Sequence, residues 1–276
     1  MAKKRSETPR SMWRGTISFG LVNIPVRMYP AVREKNIHFH MLHDQDKSRL
    51  QRRMVCPVED KEVPSEHIIK GYEISPGRHV IVDEKELEAI APKASRAIEV
   101  ISFVDLEEID PIYYEHPYYL LPEDGSERSF SLFVEAMGRT KKVAVVKFVM
   151  RAKEYLGAVR VVNDVLMLET MYHADEIIPA DRLDFKAPKG KIGERELKTA
   201  EQLIDSLSSK FDPEELKDEY REAVMKLVEK KAEGEEIAIE PEKAPQKTEV
   251  SDILAALEAS LAEARKKGKH KQHAHA

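Results

Sequence analysis

The stretch KVAVVKFVMRAKEYLGAVRVVNDVLMLETMY, residues 142–172, decides the fold. It contains three runs rich in apolar residues, Lys142–Arg151, Leu156–Val162 and Val165–Tyr172. Only short connections separate these runs, with KEY at 153–155 between the first two. The pattern predicts consecutive strands of a meander in a buried sheet.

Strand patterns recur on the amino-terminal side of this meander. Met12–Tyr29 mixes β-branched and aromatic residues with Gly20 and Pro25, which favours a strand with a bend over a helix. Further strands, separated by turn residues, are predicted at Ile37–Leu42, His67–Ile74, His79–Val82, Ile98–Val104 and Ile112–Leu121. Short strands at this spacing indicate a barrel or a sandwich.

Two helices are predicted to interrupt the strands. The first is Asp83–Ile90, where Asp83 is the N-cap and Glu86, three residues on, completes a capping box. The second covers about Arg128–Met137 and is expected to end at Gly138. The first two thirds of the chain are therefore predicted to be mainly β.

From Gly193 onward the apolar period becomes that of helices. Leu197, Ala200, Leu203, Ile204 and Leu207 line one face of a first helix. A second helix is expected to open with Asp212 as N-cap, Pro213 at the first helical position and Glu215 at the third. The fold class indicated is thus α+β, a mainly β body, either a barrel or a sandwich, followed by a helical carboxy-terminal region.

Charge is distributed unevenly along the 276 residues. The 45 Lys and Arg stand against 50 Asp and Glu, and the net charge of −5 by itself argues against a nucleic-acid binder. Bases, however, gather at residues 1–14 and 265–276, while much of the acid lies between Glu194 and Glu249. A protein with this distribution can still concentrate positive charge on one face.

The cellular setting is indicated by what is missing from the sequence. A single cysteine, Cys56, excludes an intramolecular disulfide and favours a reducing compartment. No apolar run of signal-peptide length follows the basic start, and none approaches the roughly 18 residues of a membrane span. We expect a cytoplasmic protein with no membrane association.

Two basic clusters abut predicted strand or helix ends. The first comprises Lys47, Arg49, Arg52 and Arg53, and the second Arg139, Lys141 and Lys142. Bases that project from a rigid framework can contact phosphates without reading sequence. Ordinary exposed turns would show the same composition, so each cluster alone leaves both interpretations open.

Evidence for catalysis or metal binding is weaker. His38, His40 and His43 would share a metal only if they lie on one strand face, and no carboxylate pair or second cysteine is nearby. The chain has no phosphate loop, dinucleotide fingerprint, nucleophile elbow or H-E-x-x-H. No enzyme, cofactor or metal is therefore predicted.

Three stretches together resemble bacterial Ku, the DNA-end-binding protein of non-homologous end joining. They are MWRGTISFGLVNIPVRMY at 12–29, CPVEDKEVPSEHIIKGYEI at 56–74 and FDPEELKDEYREAVMKLVEKKAEG at 211–234. The resemblance covers about residues 11–260. The chain departs from relatives that carry a second cysteine where it reads Val58-Glu59-Asp60, so no zinc is assigned to Cys56.

The resemblance implies a non-enzymatic homodimer that forms a ring around duplex DNA, threads onto broken ends and recruits an ATP-dependent DNA ligase/polymerase. It also implies a nucleoid-associated location and an arched bridge over the DNA. Under this interpretation the two basic clusters line the channel. The implied organisation is a flexible basic arm at 1–10, a barrel core with its DNA-binding bridge at 11–193, a helical region completing the core at 194–234, a flexible linker at 235–250, an amphipathic helix at 251–264 and a basic disordered tail at 265–276.

The helix at 251–264 corresponds in position to the segment that the family uses for ligase recruitment. Its expected partner-binding residues are Ile253, Leu254, Leu257 and Leu261. A helix that folds back on its own chain would show the same apolar stripe, and that alternative stays open.

Two other classes of function compete with the ring. One is a metal-dependent hydrolase that uses the three histidines, which bound-metal analysis would reveal. The other is a chromosome-associated protein that binds duplex DNA by charge alone, which would show no dependence on DNA ends.

Overall fold

The computed structural model describes residues 10–90, 95–185, 192–234 and 253–262. The predicted linker at 235–250 and tail at 265–276, and most of the arm at 1–10, lie outside these ranges. The chain divides into two compact units, Met1–Leu183 and Asp184–Ala276. The sequence placed the corresponding boundary after residue 193.

Seven strands of the first unit form a closed barrel. They are β1 (Trp13–Phe19), β2 (Val22–Pro30), β7 (Ala97–Asp105), β8 (Tyr114–Pro122), β9 (Lys142–Met150), β10 (Lys153–Val162) and β11 (Val165–Met171). Their order around the barrel is β1-β2-β8-β11-β10-β9-β7. The predicted meander is confirmed by the antiparallel β9–β10 and β10–β11 pairs.

The barrel closes through a short parallel pair, in which Ile17 of β1 is opposite Ile98 of β7. Every other neighbouring pair is antiparallel. The expectation of one bent strand at 12–29 is wrong: the chain reverses at Gly20, which has a φ of +57°, and β1 pairs with β2 along its whole length. Glycine at this turn avoids the steric cost of a positive φ.

Alternate residues of the strands fill the barrel interior, where Ile17, Val26, Leu120, Val146 and Leu168 are fully buried. Helix α2 (Glu127–Thr140) packs onto this core with three buried side chains, those of Phe130, Phe133 and Met137. Because alternate positions of a strand face opposite sides, the period-2 pattern of the sequence places the core correctly.

The sequence suggested that helix α2 ends at Gly138, but the helix continues through that residue. It ends at Lys141, which has a left-handed φ of +54°. A single glycine inside a helix costs only about 1 kcal/mol, and the apolar face before it supplies more than that. The helix end therefore falls directly against β9, which begins at Lys142.

Residues 31–90, called the bridge segment below, leave the barrel between β2 and β7. They contain four short strands and one helix: β3 (Val55–Cys56), β4 (Lys61–Glu62), β5 (Lys70–Ser75), β6 (Arg78–Val82) and α1 (Glu84–Ile90). The strands form two isolated hairpins, β3–β4 and β5–β6. One of the two hydrogen bonds of the expected capping box of α1 is present, since the Asp83 backbone N–H donates to Glu86 Oε2 at 2.9 Å.

The predicted strand at Ile37–Leu42 is wrong, because only Leu42 makes a bridge, to Arg49, and residues before it have no strand partner. Apolar alternation alone does not form a strand when no neighbouring chain supplies the ladder.

The second unit contains three described helices: α3 (Glu194–Leu207), α4 (Glu219–Ala232) and a helix over 253–262, labelled α5. The expected helix start at Asp212 is wrong. The Asp212 carboxylate accepts from the Glu214 backbone N–H at 2.9 Å in a local turn, and the helix begins after Asp218, which accepts from the Arg221 N–H at 2.9 Å. Aspartate favours both helix N-caps and such turns, so the presence of Asp212 alone does not determine where the helix begins.

Candidate nucleic-acid interface

The first basic cluster lies on a small folded turn of the bridge segment. The His43 N–H donates to the Ser48 carbonyl at 2.8 Å, and the Leu50 N–H donates to the Met41 carbonyl at 2.9 Å. Hydrogen bonds from Ser48 to the Asp46 carboxyl hold its pKa below its ordinary value, and a hydrogen bond from His43 makes a smaller contribution in the same direction. This network fixes the backbone from which the cationic side chains project.

Cations of this cluster differ in whether an anion accompanies them. Arg53 Nη1 lies 2.7 Å from Glu62 Oε2, whereas Lys47 Nζ donates to the carbonyl of Asp44. Arg49 and Arg52, which line a shallow groove, make no ion pair with any residue that the structure describes. The groove is therefore the part of the cluster best suited to an external phosphate.

The second cluster surrounds the junction of α2 and β9. Arg139 pairs with Glu135 one turn earlier in α2, and Lys142 Nζ lies 2.8 Å from Asp105 at the end of β7. Lys141, between them, has no ion pair within the described ranges. Its backbone has a left-handed φ of +54°.

All seven predicted DNA-contacting cations are placed by the structure, and they fall into two groups. Three are neutralised locally, and these are Arg53, Arg139 and Lys142. Four have no carboxylate partner among the described residues, and these are Lys47, Arg49, Arg52 and Lys141. Contact with DNA remains a prediction for each of them. A cation without an anion partner has no ion pair to break before it contacts phosphate, so the second group should contribute more.

One further pair of arginines lies close together outside the two basic clusters. Arg14 on β1 and Arg96 line one shallow pocket with Trp13. The contact arises because the Thr16 N–H donates to the Arg96 carbonyl at 2.8 Å where β1 meets β7. Only the closure of the barrel brings these residues together, so no local pattern could have revealed the pair.

The predicted partner-binding residues of α5 differ in exposure. Ile253 is 63% exposed, Leu254 and Leu257 are half-buried, and Leu261 is only 8% exposed. Partner binding remains a prediction for all four.

The three histidines of the bridge segment do not form a ligand group. His38 and His40 are exposed on irregular chain, and His43 instead accompanies Asp46, with 3.1 Å between Nδ1 and Oδ1. No group of three or more His, Cys, Asp or Glu side chains among the described residues could hold a metal ion. The hydrolase alternative therefore has no structural support in this part of the chain.

Cys56 lies in the tight β3–β4 turn, where the backbone N–H groups of Glu59 and Val58 lower the pKa of its thiol. The turn is closed by the Asp60 N–H, which donates to the Cys56 carbonyl at 2.9 Å. Asp60 takes a φ of +53°. The turn thus forms around a single thiol, and it positions Glu62 beside Arg53.

Comparison with known families agrees with this architecture. The model of the Ku70/Ku80 beta-barrel domain matches residues 18–204. The chain is 48% identical over 260 residues to the non-homologous end joining protein Ku of Anaeromyxobacter sp. (strain K), covering 94% of this chain and 87% of that protein.

Two other relatives match a similar share of this chain at lower identity. Non-homologous end joining protein Ku 1 of Geotalea uraniireducens is 41% identical, with 93% of this chain and 98% of the relative covered. Non-homologous end joining protein Ku of Bacillus subtilis is 35% identical, with 91% of this chain and 81% of the relative covered.

Among the described residues, no helix has the length and apolar character needed to cross a membrane.

Proposed function

Because the chain belongs to the Ku family, we propose that it binds the ends of double-stranded DNA in non-homologous end joining, as a homodimeric ring that carries out no chemistry itself. The ring binds without sequence specificity and recruits and stimulates an ATP-dependent DNA ligase/polymerase. The observation that carries this proposal is the composition and exposure of the bridge segment.

None of residues 31–90, all of which the structure describes, is buried. Large apolar side chains are nevertheless frequent there, and on the β5–β6 hairpin Tyr72, Ile74 and Val80 are 71%, 51% and 47% exposed. Tyr72 is directly opposite Val80 in the hairpin, so these two residues share one face. A two-stranded hairpin with such a face is marginal in water until something covers it.

A second copy of the chain is the occupant we assign to this surface. In a two-fold dimer the same surface serves both partners, so one apolar face covers its equivalent. Two bridge segments that meet in this way would connect two barrels and enclose a space between them. The residues that carry the first basic cluster belong to the same segment, which supports their placement along that space.

Positive charge on the inner wall supplies affinity in this proposal. The four cations without carboxylate partners become eight in a dimer, and phosphate contacts of this kind do not discriminate between sequences. Selectivity for ends then comes from topology, because a closed circle offers no terminus over which a ring can pass. Base-specific contacts are not needed.

Ligase recruitment is assigned to α5, whose Ile253 is exposed and whose leucines form one stripe. Replacement of Leu254 and Leu257 by Asp should abolish ligase stimulation and leave DNA binding intact.

The test of the ring compares linear, hairpin-capped and relaxed circular duplexes of equal length, each at several salt concentrations. We expect retention on linear DNA, loss when both ends are capped and no stable complex with the circle. Equal binding to all three would contradict threading and favour association by charge alone.

A further inference from the structure

Helix α5 lies against α3 of its own chain. Arg195 Nη2, in the first turn of α3, donates to Glu258 Oε1 of α5 at 3.0 Å. Leu261, three residues beyond Glu258, is 8% exposed, whereas neither α3 nor α4 contains a buried residue. The described part of the second unit therefore buries one apolar side chain, and that side chain belongs to the segment assigned to a partner.

The shielded side of α5 is its apolar stripe. Leu254, Leu257 and Leu261 are spaced three and four residues apart, so they share one side of the helix, and Glu258 lies at its margin. The stripe on α3 is also divided: Ala200 and Leu203 are half-buried, while other apolar members of the same stripe stay exposed. Contact along part of each helix, fixed at one edge by the ion pair, accounts for this division.

This contact is weak enough to be reversible. A helix of ten residues is marginal in water on its own, so α5 depends on what it packs against. The side chains of Arg195 and Glu258 are 77% and 50% exposed, and an ion pair so open to solvent contributes little and is screened by salt. Docked and released forms of α5 should therefore both be populated.

We propose that α3 and the ligase compete for the apolar stripe of α5, so that docking on α3 restrains ligase recruitment. This inference rests on the proposed role of α5 in recruitment. A partner that binds only the released helix has its apparent affinity lowered in proportion to the released fraction. Recruitment then increases whenever the contact with α3 is lost, without any change in the residues that the ligase meets.

The test uses Arg195→Glu in the full-length protein, a substitution that leaves α5 itself unaltered. Amide hydrogen exchange of residues 253–262, followed by mass spectrometry, reports release of the helix. Calorimetry with the ATP-dependent end-joining ligase of the same organism reports its affinity. We expect exchange to accelerate and ligase affinity to rise by a similar factor, up to about fivefold.

The double variant R195E/E258R should return the exchange rate to that of the wild type, because it restores an ion pair of opposite orientation. Lys198→Glu on α3 is the matched control, since it makes the same charge change at an exposed residue with no ion pair in the described part of the chain, and it should alter neither measurement.

Unchanged exchange in R195E would overturn docking. Faster exchange with unchanged ligase affinity would overturn competition and leave recruitment standing. If neither the wild type nor any variant bound the ligase, both the recruitment proposal and the competition proposal would be refuted. The exchange data would still report the contact between α5 and α3.

Discussion

Replacement of Arg49 and Arg52 by Ala tests the most specific claim about the DNA interface. Both side chains project from the bridge segment, and neither pairs with a described residue, so their removal should not disturb the fold. Each phosphate contact contributes about 0.9 to the slope of log K against log salt. Two arginines in each of two copies should therefore reduce the magnitude of that slope by about 3.6. If the protein bound as a monomer, the reduction would be about 1.8.

Fluorescence anisotropy with a linear duplex, measured over a series of salt concentrations, gives this slope. The variant K210A/K217A removes the same number of charges from the helical unit and serves as the control. A slope equal in the two variants would refute the assignment of the Arg49–Arg52 groove to phosphate.

Glu62→Gln should change the slope in the opposite direction. It frees Arg53 from its 2.7 Å ion pair and should steepen the slope by up to about 1.8 in the dimer.

Four further substitutions examine the dimer, the barrel closure and the end of α2. Tyr72→Asp places charge on the exposed β5–β6 face and should convert dimers to monomers in sedimentation velocity; a dimer that persists would contradict the assigned interface. Gly15→Ala should lower the free energy of unfolding by about 3 kcal/mol, since its Cβ would lie 1.9 Å from the Trp13 ring. A Cβ at Gly138 has open space, so Gly138→Ala should raise the free energy of unfolding by about 1 kcal/mol. Thermal melts measure both changes. Lys141→Gly relieves the left-handed backbone and should stabilise by about 1 kcal/mol while it weakens DNA binding; equal affinity would remove Lys141 from the interface.

The barrel strands could largely be predicted because their information is local. Alternation along 142–172 placed the meander strands to within a few residues, and Asp83 with Glu86 marked a helix start that the structure confirms. The parallel contact of Ile17 with Ile98 could not be predicted in the same way. It depends on how the five other barrel strands are arranged, and no periodicity in either segment records that arrangement.

The two basic clusters of the candidate interface could be predicted from the sequence, but their ion pairs could not. Of the three anions that neutralise predicted cations, only Glu135 lies at helical spacing from its partner. Glu62 reaches Arg53 through the β3–β4 turn, and Asp105 reaches its lysine through strand pairing. A count of bases therefore treats all seven cations alike, whereas tertiary structure divides them into neutralised and available groups.

The same division explains why a net charge of −5 is compatible with DNA binding. A duplex interacts with the charges of the protein surface that faces it, and only with those that local ion pairs leave unneutralised. The net charge of the whole chain does not measure that quantity. In the proposed ring, acidic residues on the outer surface would disfavour lateral approach and would direct the duplex toward the channel. In the proposed ring the bridge segment couples the two requirements: its apolar face would be covered by a second copy, and its cations would line a channel only when that copy is present. Dimerisation and DNA binding should thus be gained or lost together, because the same sixty residues, none of them buried in the single chain, serve both.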